Sequence, residues 1–294
     1  MATRFEFILE GEDASRLRAA AEDAIEEVHL WHRRLSAFEP GSDVSRINAN
    51  AAASPVRVDS ELFALLSLCQ RLWEITGGAF DPAIGAAMKA GGFRGAPSTT
   101  EARAAANSAT GFRHVSLDAA NRTVRFDREG IALDLGAIGK GWALDRAAER
   151  LREAGIAAAF LHGGTSSAVA FGPPGSAGWR VAISRETGSP LVELVNGGLG
   201  VSSPRGRVVE GRGHVLDPRT GDSVSGLLVA AVATGTGAEA DGLSTALLVD
   251  GPEAPWIPEG VGAMTLSAEH EAAWRIRPAS ATLIGPDSWA IRPA

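Results

Sequence analysis

His114-Val115-Ser116-Leu117-Asp118-Ala119-Ala120-Asn121-Arg122-Thr123-Val124-Arg125-Phe126 is where the apolar pattern turns from helical to extended. Val115 to Leu117 and Thr123 to Phe126 read as short strands about a polar turn at Asn121, and Ile131 to Leu135 continues them. Working forward, Gly139 to Glu153 reads as a helix closed by Gly155. Strand-like runs follow at Ala157 to Leu161, Ala168 to Phe171, Trp179 to Ile183, Leu191 to Val195 and Leu227 to Ala233. A helix over Ala238 to Val249 and closing strands at Ala263 to Leu266 and Trp274 to Ile276 complete the chain. Working backward, Arg4 to Leu9 reads as a strand, and helical spacing runs from Leu17 to Leu35. A further helix starts after the N-cap Asp59 and stops near Gly77 and Gly78, and Ala86 to Ala109, with Pro97, combines a short helix with loop. Strands and helices do not alternate regularly. The expected class is therefore α+β, a mixed, largely antiparallel sheet with flanking helices, rather than a doubly wound fold. With no internal repeat and no long linker, residues 1–294 read as a single catalytic unit.

Composition narrows the function. Hydrophobic residues are 45% and charged residues 21% of 294, a globular balance with room for a sizeable core, and no run of eighteen uninterrupted apolar residues could span a bilayer. Lys plus Arg total 28 against 35 for Asp plus Glu, so the net charge of -7 argues against nucleic acid as a partner. One cysteine, Cys69, excludes an intrachain disulfide and a cysteine-rich metal centre. It fits a reducing compartment, and the expected location is cytoplasmic, or periplasmic if a leader has been removed; Met1 to Asp13, with Arg4, Glu6 and Glu10, does not read as one. The 35 glycines suggest tight turns and close backbone approaches to a ligand.

Four segments carry chemistry, each with a plainer reading beside it. Leu133 to Asp145 runs from a strand through glycines into a helix, where free N–H groups and Lys140 suit an anion; an ordinary glycine-rich turn explains the same letters. Its spacing is neither a dinucleotide fingerprint nor a Walker loop. Asp241 and Thr245 stand four apart on one helix face with Ser244 alongside, hard oxygen donors appropriate to Mg²⁺. The plain alternative makes Glu239 and Asp241 helix-dipole partners and has Thr245 bond back to a preceding carbonyl. His214 to Gly221 offers a histidine and a carboxylate, although Asp217-Pro218 with Gly221 is also sound turn chemistry. Thr76 to Pro82 and Leu161 to Ser166 place glycine pairs at element ends. His29 and His32 lie close with no third ligand, and no Gly-x-Ser-x-Gly elbow occurs, which leaves zinc chemistry and hydrolase triads without support.

Taken in order, Leu35 to Phe38 with Ser42 to Asn48, Thr76 to Pro82, Asp134 to Asp145, His162 to Ser166, His214 to Gly221 and Ala240 to Thr245 resemble the ApbE family of FAD:protein FMN transferases over about residues 30 to 250. The resemblance implies that FAD is bound, its pyrophosphate cut and FMN passed to a Ser or Thr hydroxyl of an acceptor protein, with AMP released. It implies Mg²⁺ held by Asp241, Thr245 and the carbonyl of Ala137, with Ser244. Lys140 would sit beside FAD, and Asp81 and Asp134 would bond to it. Ala79 and Phe80 would line the flavin site, with Leu35, Gly163, Gly164 and Val215 in the same cofactor-binding set. His214 would contact the phosphates or assist proton transfer, making His214 and Asp241 the catalytic pair. A cation facing the pyrophosphate agrees with the need to neutralise charge on its oxygens. Two departures stand out: Thr165 occupies a position where many relatives have Asp, and Val201-Ser202-Ser203-Pro204-Arg205 replaces a Ser-Gly-x-Tyr-Arg pattern in a chain without tyrosine. The rival readings are an FAD pyrophosphatase, with water as nucleophile, and a flavin-binding protein without catalysis. The presence of both Asp241 and Thr245 favours an enzyme.

Overall fold

Caps decide where several helices begin. Ser42 accepts the Ser45 N–H at 2.9 Å, Asp59 accepts that of Leu62 at 2.9 Å and Thr236 accepts that of Glu239 at 3.3 Å, so each satisfies a donor that the first turn leaves open. The computed structural model describes residues 3–95, 99–172, 178–183, 191–204, 208–257 and 261–267, and the backbone of 272–274 and 281–284. The first half contains β1 (Phe5–Glu10), α1 (Ala14–Arg34), α2 (Asp43–Asn50), β2 (Val56–Arg57), α3 (Ser60–Ile75), α4 (Gly85–Ala90), α5 (Thr100–Ala109), β3 (Val115–Asp118) and β4 (Thr123–Phe126). Then come α6 (Gly139–Glu153), β5 (Ala158–Gly163), β6 (Ser167–Phe171), β7 (Trp179–Ala182), β8 (Leu191–Leu194) and β9 (Gly197–Ser202). The remainder is β10 (Val208–Val209), β11 (Arg212–Gly213), β12 (Leu227–Thr234), α7 (Gly237–Asp250), β13 (Gly262–Ser267), β14 (Ala272–Trp274) and β15 (Ala281–Ile284).

The chain divides into two compact units, one of residues 1–32, 138–202 and 227–294, the other of 33–137 and 203–226. In the first, a seven-stranded sheet runs β1-β5-β6-β9-β12-β13-β14, and a three-stranded sheet runs β15-β8-β7. Every described ladder is antiparallel, which gives the α+β class expected from the order of elements. Ala168, Ala170, Leu199, Val229, Ala231 and Met264 on the large sheet share one apolar cluster with Val192 and Leu194 of β8. Helix α7 packs on β9 and β12, and α6 on α7, β5 and β6. Trp31 of α1 meets Trp142 edge-on at 5.5 Å, and the buried Glu27 accepts the Trp31 indole N–H at 2.8 Å and pairs with Arg150 at 3.0 Å.

In the second unit, β2-β4-β3 form a small antiparallel sheet and β10 pairs with β11. Arg34 joins the starts of two helices by pairing with Asp43 at 2.8 Å and with Asp59. Helix α3 ends at Ile75, and Gly77 and Gly78 take φ of +56° and +83°, left-handed values that suit glycine. The region expected as one short helix and loop holds two helices, α4 and α5; Pro97 lies outside the described residues, as do Arg275 and Ile276 of the expected last strand. The sequence reading omits α2, β2, β9, β10, β11 and β15, and the strand expected over Ile131 to Leu135 is not formed: that segment pairs with no strand among the described residues. Among the described residues no helix is long and apolar enough to cross a membrane.

Candidate active site

In the first unit the chemistry gathers where α6 and α7 exchange caps. The Gly141 N–H, in the first turn of α6, donates to Asp241 Oδ2 of α7 at 2.7 Å. The Gly237 and Ala238 N–H groups, in the first turn of α7, donate to the two carboxylate oxygens of Asp145 of α6 at 2.7 and 2.9 Å. Each helix thus supplies the anion that the positive end of the other requires. Burial nevertheless outweighs these bonds: it pushes Asp145 up to about 7 and Asp241 up to about 6, against the downward pull of the Lys140 charge, the Ser167 hydroxyl and the Gly141 N–H on Asp241. Both carboxylates therefore titrate close to neutrality, a feature that recurs at functional sites.

Asp241 takes its second bond, from Ser167 Oγ at 3.0 Å, on Oδ2 as well. Both described bonds fall on one oxygen, and Oδ1 accepts none among the described residues. One helical turn on, Ser244 Oγ and Thr245 Oγ1 donate to the Asp241 carbonyl oxygen at 3.0 and 3.2 Å. Ser202 Oγ at the end of β9 lies 2.9 Å from Ser244 Oγ and 3.2 Å from Thr245 Oγ1. The back-bond expected of Thr245 on plain structural grounds is present. It also directs the hydroxyl proton inward, leaving oxygen lone pairs for another contact. Among the described residues no three His, Cys, Asp or Glu side chains cluster as metal ligands, so any cation here would rest on one carboxylate with hydroxyl and carbonyl oxygens. Ala137 is half-buried just ahead of α6, and Lys140 is half-buried in its first turn.

Gly163 and Gly164 close β5 in the same unit. Gly164 has φ +64°, and its N–H donates to the Arg4 carbonyl at 2.8 Å; His162 contacts the Gly164 carbonyl at 3.0 Å and Glu6 at 2.9 Å. This corner is built as a strand turn.

In the second unit, Asn48 of α2 clamps both backbone groups of Leu133 in the segment leading to Asp134: its side chain donates to the Leu133 carbonyl at 3.0 Å and accepts the Leu133 N–H at 2.7 Å. The Asp134 N–H donates to the Pro82 carbonyl at 2.7 Å, which brings Asp134 against the segment of Ala79, Phe80 and Asp81. Asp81 is buried and accepts the N–H groups of Ala83 at 2.8 Å and Phe112 at 3.0 Å; desolvation still lifts it to about 6. Asp134 accepts the Gly136 N–H at 2.9 Å on Oδ1 and the Arg94 guanidinium at 2.6 to 2.7 Å on Oδ2. Leu35, Ala79 and Phe80 are buried side chains. His214 and Val215 are half-buried at the base of a hairpin in which the Val224 N–H donates to the Val215 carbonyl at 2.9 Å. Asp217 accepts the Arg219 N–H at 2.9 Å, and its carbonyl accepts the Gly221 N–H at 2.7 Å, the turn role foreseen for it.

Asp145, Asn48 and Ser202 fall within segments that the sequence reading singles out but receive no role there, and Ser167 and Arg94 enter only with the structure. Asp145 had a signal, an acidic residue four positions past Gly141 and so on the same helix face. Ser167 and Ser202 had none, because their roles come from strands that meet α7 across long stretches of chain.

The ApbE family model matches residues 1–261. A Rhodobacter capsulatus protein named FAD:protein FMN transferase is 34% identical over 265 residues, covering 85% of this chain and 50% of that protein, so the chain spans about half of that relative's length. A Treponema pallidum protein of the same name is 32% identical over 272 residues, covering 82% of this chain and 74% of that protein. The crystal structure of the ApbE protein from Thermotoga maritima superposes with a TM-score of 0.79 at 25% identity, covering 94% of this chain and 97% of that one. With the match running through both the α6 segment and α7, this chain belongs to the ApbE family.

Proposed function

We propose that the chain acts as one catalytic unit, an FAD:protein FMN transferase. An acceptor hydroxyl of a Ser or Thr side chain attacks the FMN-side phosphorus of FAD, the P–O bond to the bridging oxygen breaks, and AMP leaves with that oxygen while the hydroxyl proton passes to a base. The observation that supports this most is the Asp241 carboxylate, buried, with Oδ1 accepting no described bond and the Ser244 and Thr245 hydroxyls on the next turn. Asp241, Ser244, Thr245 and the carbonyl of Ala137 would hold Mg²⁺, a donor set of the hard oxygen type that this cation takes. When bound, the cation neutralises charge that builds on the pyrophosphate oxygens.

The chain's own residues supply the rest. Lys140 adds a positive charge beside Asp241, suited to a phosphate. His214 meets the phosphates or takes the acceptor proton. Asp81 and Asp134 hold the segments that face FAD, and Leu35, Ala79, Phe80, Gly163, Gly164 and Val215 complete the cofactor set by family position. Because Leu35, Ala79 and Phe80 are buried, their contribution comes from backbone atoms and from the shape they set.

The test incubates the chain with FAD, Mg²⁺ and a peptide or domain bearing a flavinylation site, followed by mass spectrometry. A covalent FMN adduct with stoichiometric AMP is expected. Free FMN and AMP with no adduct would replace transfer by hydrolysis, and intact FAD would overturn both.

A further inference from the structure

The second unit holds a cavity of 290 Å³ between α4, α5 and the hairpin, lined in part by Thr100, Arg103, Asn107, Arg212, Leu216 and Asp222. None of these residues belongs to the set proposed for FAD or Mg²⁺. Pockets for drug-sized molecules start near roughly 300 Å³, so this one takes a compact ligand and not a dinucleotide.

Its walls are fixed. Arg212 Nη2 donates to the Gly221 carbonyl at 2.8 Å, and Asn107 Nδ2 donates to the Thr220 carbonyl at 3.2 Å, which ties α5 to the hairpin. Gly221, at φ +77°, has no space for a side chain because a Cβ there would overlap the Asn107 amide.

The remaining donors and acceptors describe the ligand. Arg103 Nε is buried without a hydrogen-bond partner, and the nearest acid to Arg103 Nη1 is Glu210, at 3.9 Å and exposed, too far for a hydrogen bond. Arg103 and Arg212 both line the cavity, and two planar guanidinium groups at one site select a carboxylate or phosphate. Asp222 and Asn107 also line the cavity and carry acceptor oxygens, so a bare anion would meet a carboxylate as well as the two cations. A ligand that carries both an oxyanion and hydroxyl donors satisfies both sets, and two guanidinium groups match three phosphate oxygens better than two carboxylate oxygens.

We propose that this cavity binds a small hydroxylated phosphate ester. The test uses the full chain without FAD and follows melting temperature in glycerol 3-phosphate, inorganic phosphate and glycerate at matched ionic strength. At about tenfold excess over Kd, glycerol 3-phosphate should raise Tm by about 2 °C, more than inorganic phosphate does. Arg103→Met should abolish the shift, and Asp222→Asn should narrow the gap between glycerol 3-phosphate and inorganic phosphate. Should Arg103→Met fail to fold, Arg103→Lys keeps the charge but lacks Nε, and phosphorus-31 line broadening of glycerol 3-phosphate should weaken with it. No shift in the unmodified chain, or an undiminished shift in Arg103→Met, overturns the site. An equal shift with glycerate overturns the phosphate assignment.

Discussion

Gly141 of α6 and Gly237 of α7 face each other with no space for a side chain: a Cβ on Gly141 would overlap the Gly237 carbonyl oxygen. The obstacle is backbone, so no rotamer change relieves it. Gly141→Ala should therefore cost about 3 kcal/mol or more, at or beyond the upper end of ordinary overpacking. It should also pull the Gly141 N–H off Asp241 and lower FAD turnover. Urea denaturation followed by circular dichroism measures the first effect, and a midpoint equal to that of the parent chain would contradict the close seam.

Asp241→Asn tests the carboxylate itself. The Asn side-chain oxygen can accept the Gly141 and Ser167 bonds where Oδ2 did, so the fold should persist while the charge that would hold Mg²⁺ is lost. Turnover of FAD is expected to fall by about 100-fold or more, with partial rescue at high Mg²⁺. Exhaustive chelation of the parent chain with EDTA should give a similar loss. A variant with ordinary turnover at ordinary Mg²⁺ removes Asp241 from the ligand set.

Stability should decline as pH rises. Burial lifts Asp81 and Asp241 to about 6 and Asp145 to about 7, from 3.8 for a free aspartate. Between 3.8 and these values the folded chain holds more protons than the unfolded one, so the unfolding free energy drops with increasing pH until all three are ionised. Against desolvation, the largest single influence on it, the Arg34 and Arg46 guanidinium groups hold Asp43 below 3.8, and the His114 hydrogen bond holds Asp127 below it, so both titrate beneath that window. Melting curves without added metal should show Tm decreasing from pH 5 to pH 8, and a flat or rising profile would refute the assignment.

Asn48→Ala removes both bonds to the Leu133 peptide. Leaving a largely buried N–H or carbonyl unsatisfied costs about 1–3 kcal/mol, and these two groups are only part-buried, so stability should drop by about 2 kcal/mol or more. The loosened segment carries Asp134, so KM for FAD should rise more than kcat falls. The opposite split would mean that Asn48 serves the reacting atoms and not the cofactor's seat.

Much of this was legible in the letters. Asp59 caps α3 as its position suggests, Asp217 folds its turn, and Asp241, Ser244 and Thr245 share one helix as their spacing requires. Strand β9 was not legible, because Gly197-Gly198-Leu199-Gly200 carries almost no strand preference. It nevertheless sits between β6 and β12, and its glycines are there because α7 lies directly on it: a Cβ on Gly198 or Gly200 would overlap the α7 backbone. Tertiary approach, not local propensity, placed those residues. The same holds for Ser167 and Ser202, which acquire roles only when strands distant in sequence reach Asp241, Ser244 and Thr245.

The pairing of β1 with β5, Phe5 opposite Gly163 through Glu10 opposite Ala158, also sets an order of events during synthesis. Its partner lies some 150 residues downstream, and at about 5–20 residues per second that separation amounts to roughly 8–30 s. Once made, β1 must wait that long before its ladder can form, and closing so long a loop delays the large sheet beyond the helices and hairpins that need only neighbours. Glu6 and Glu10 on this edge strand supply charge that discourages pairing with a second nascent chain in the interval.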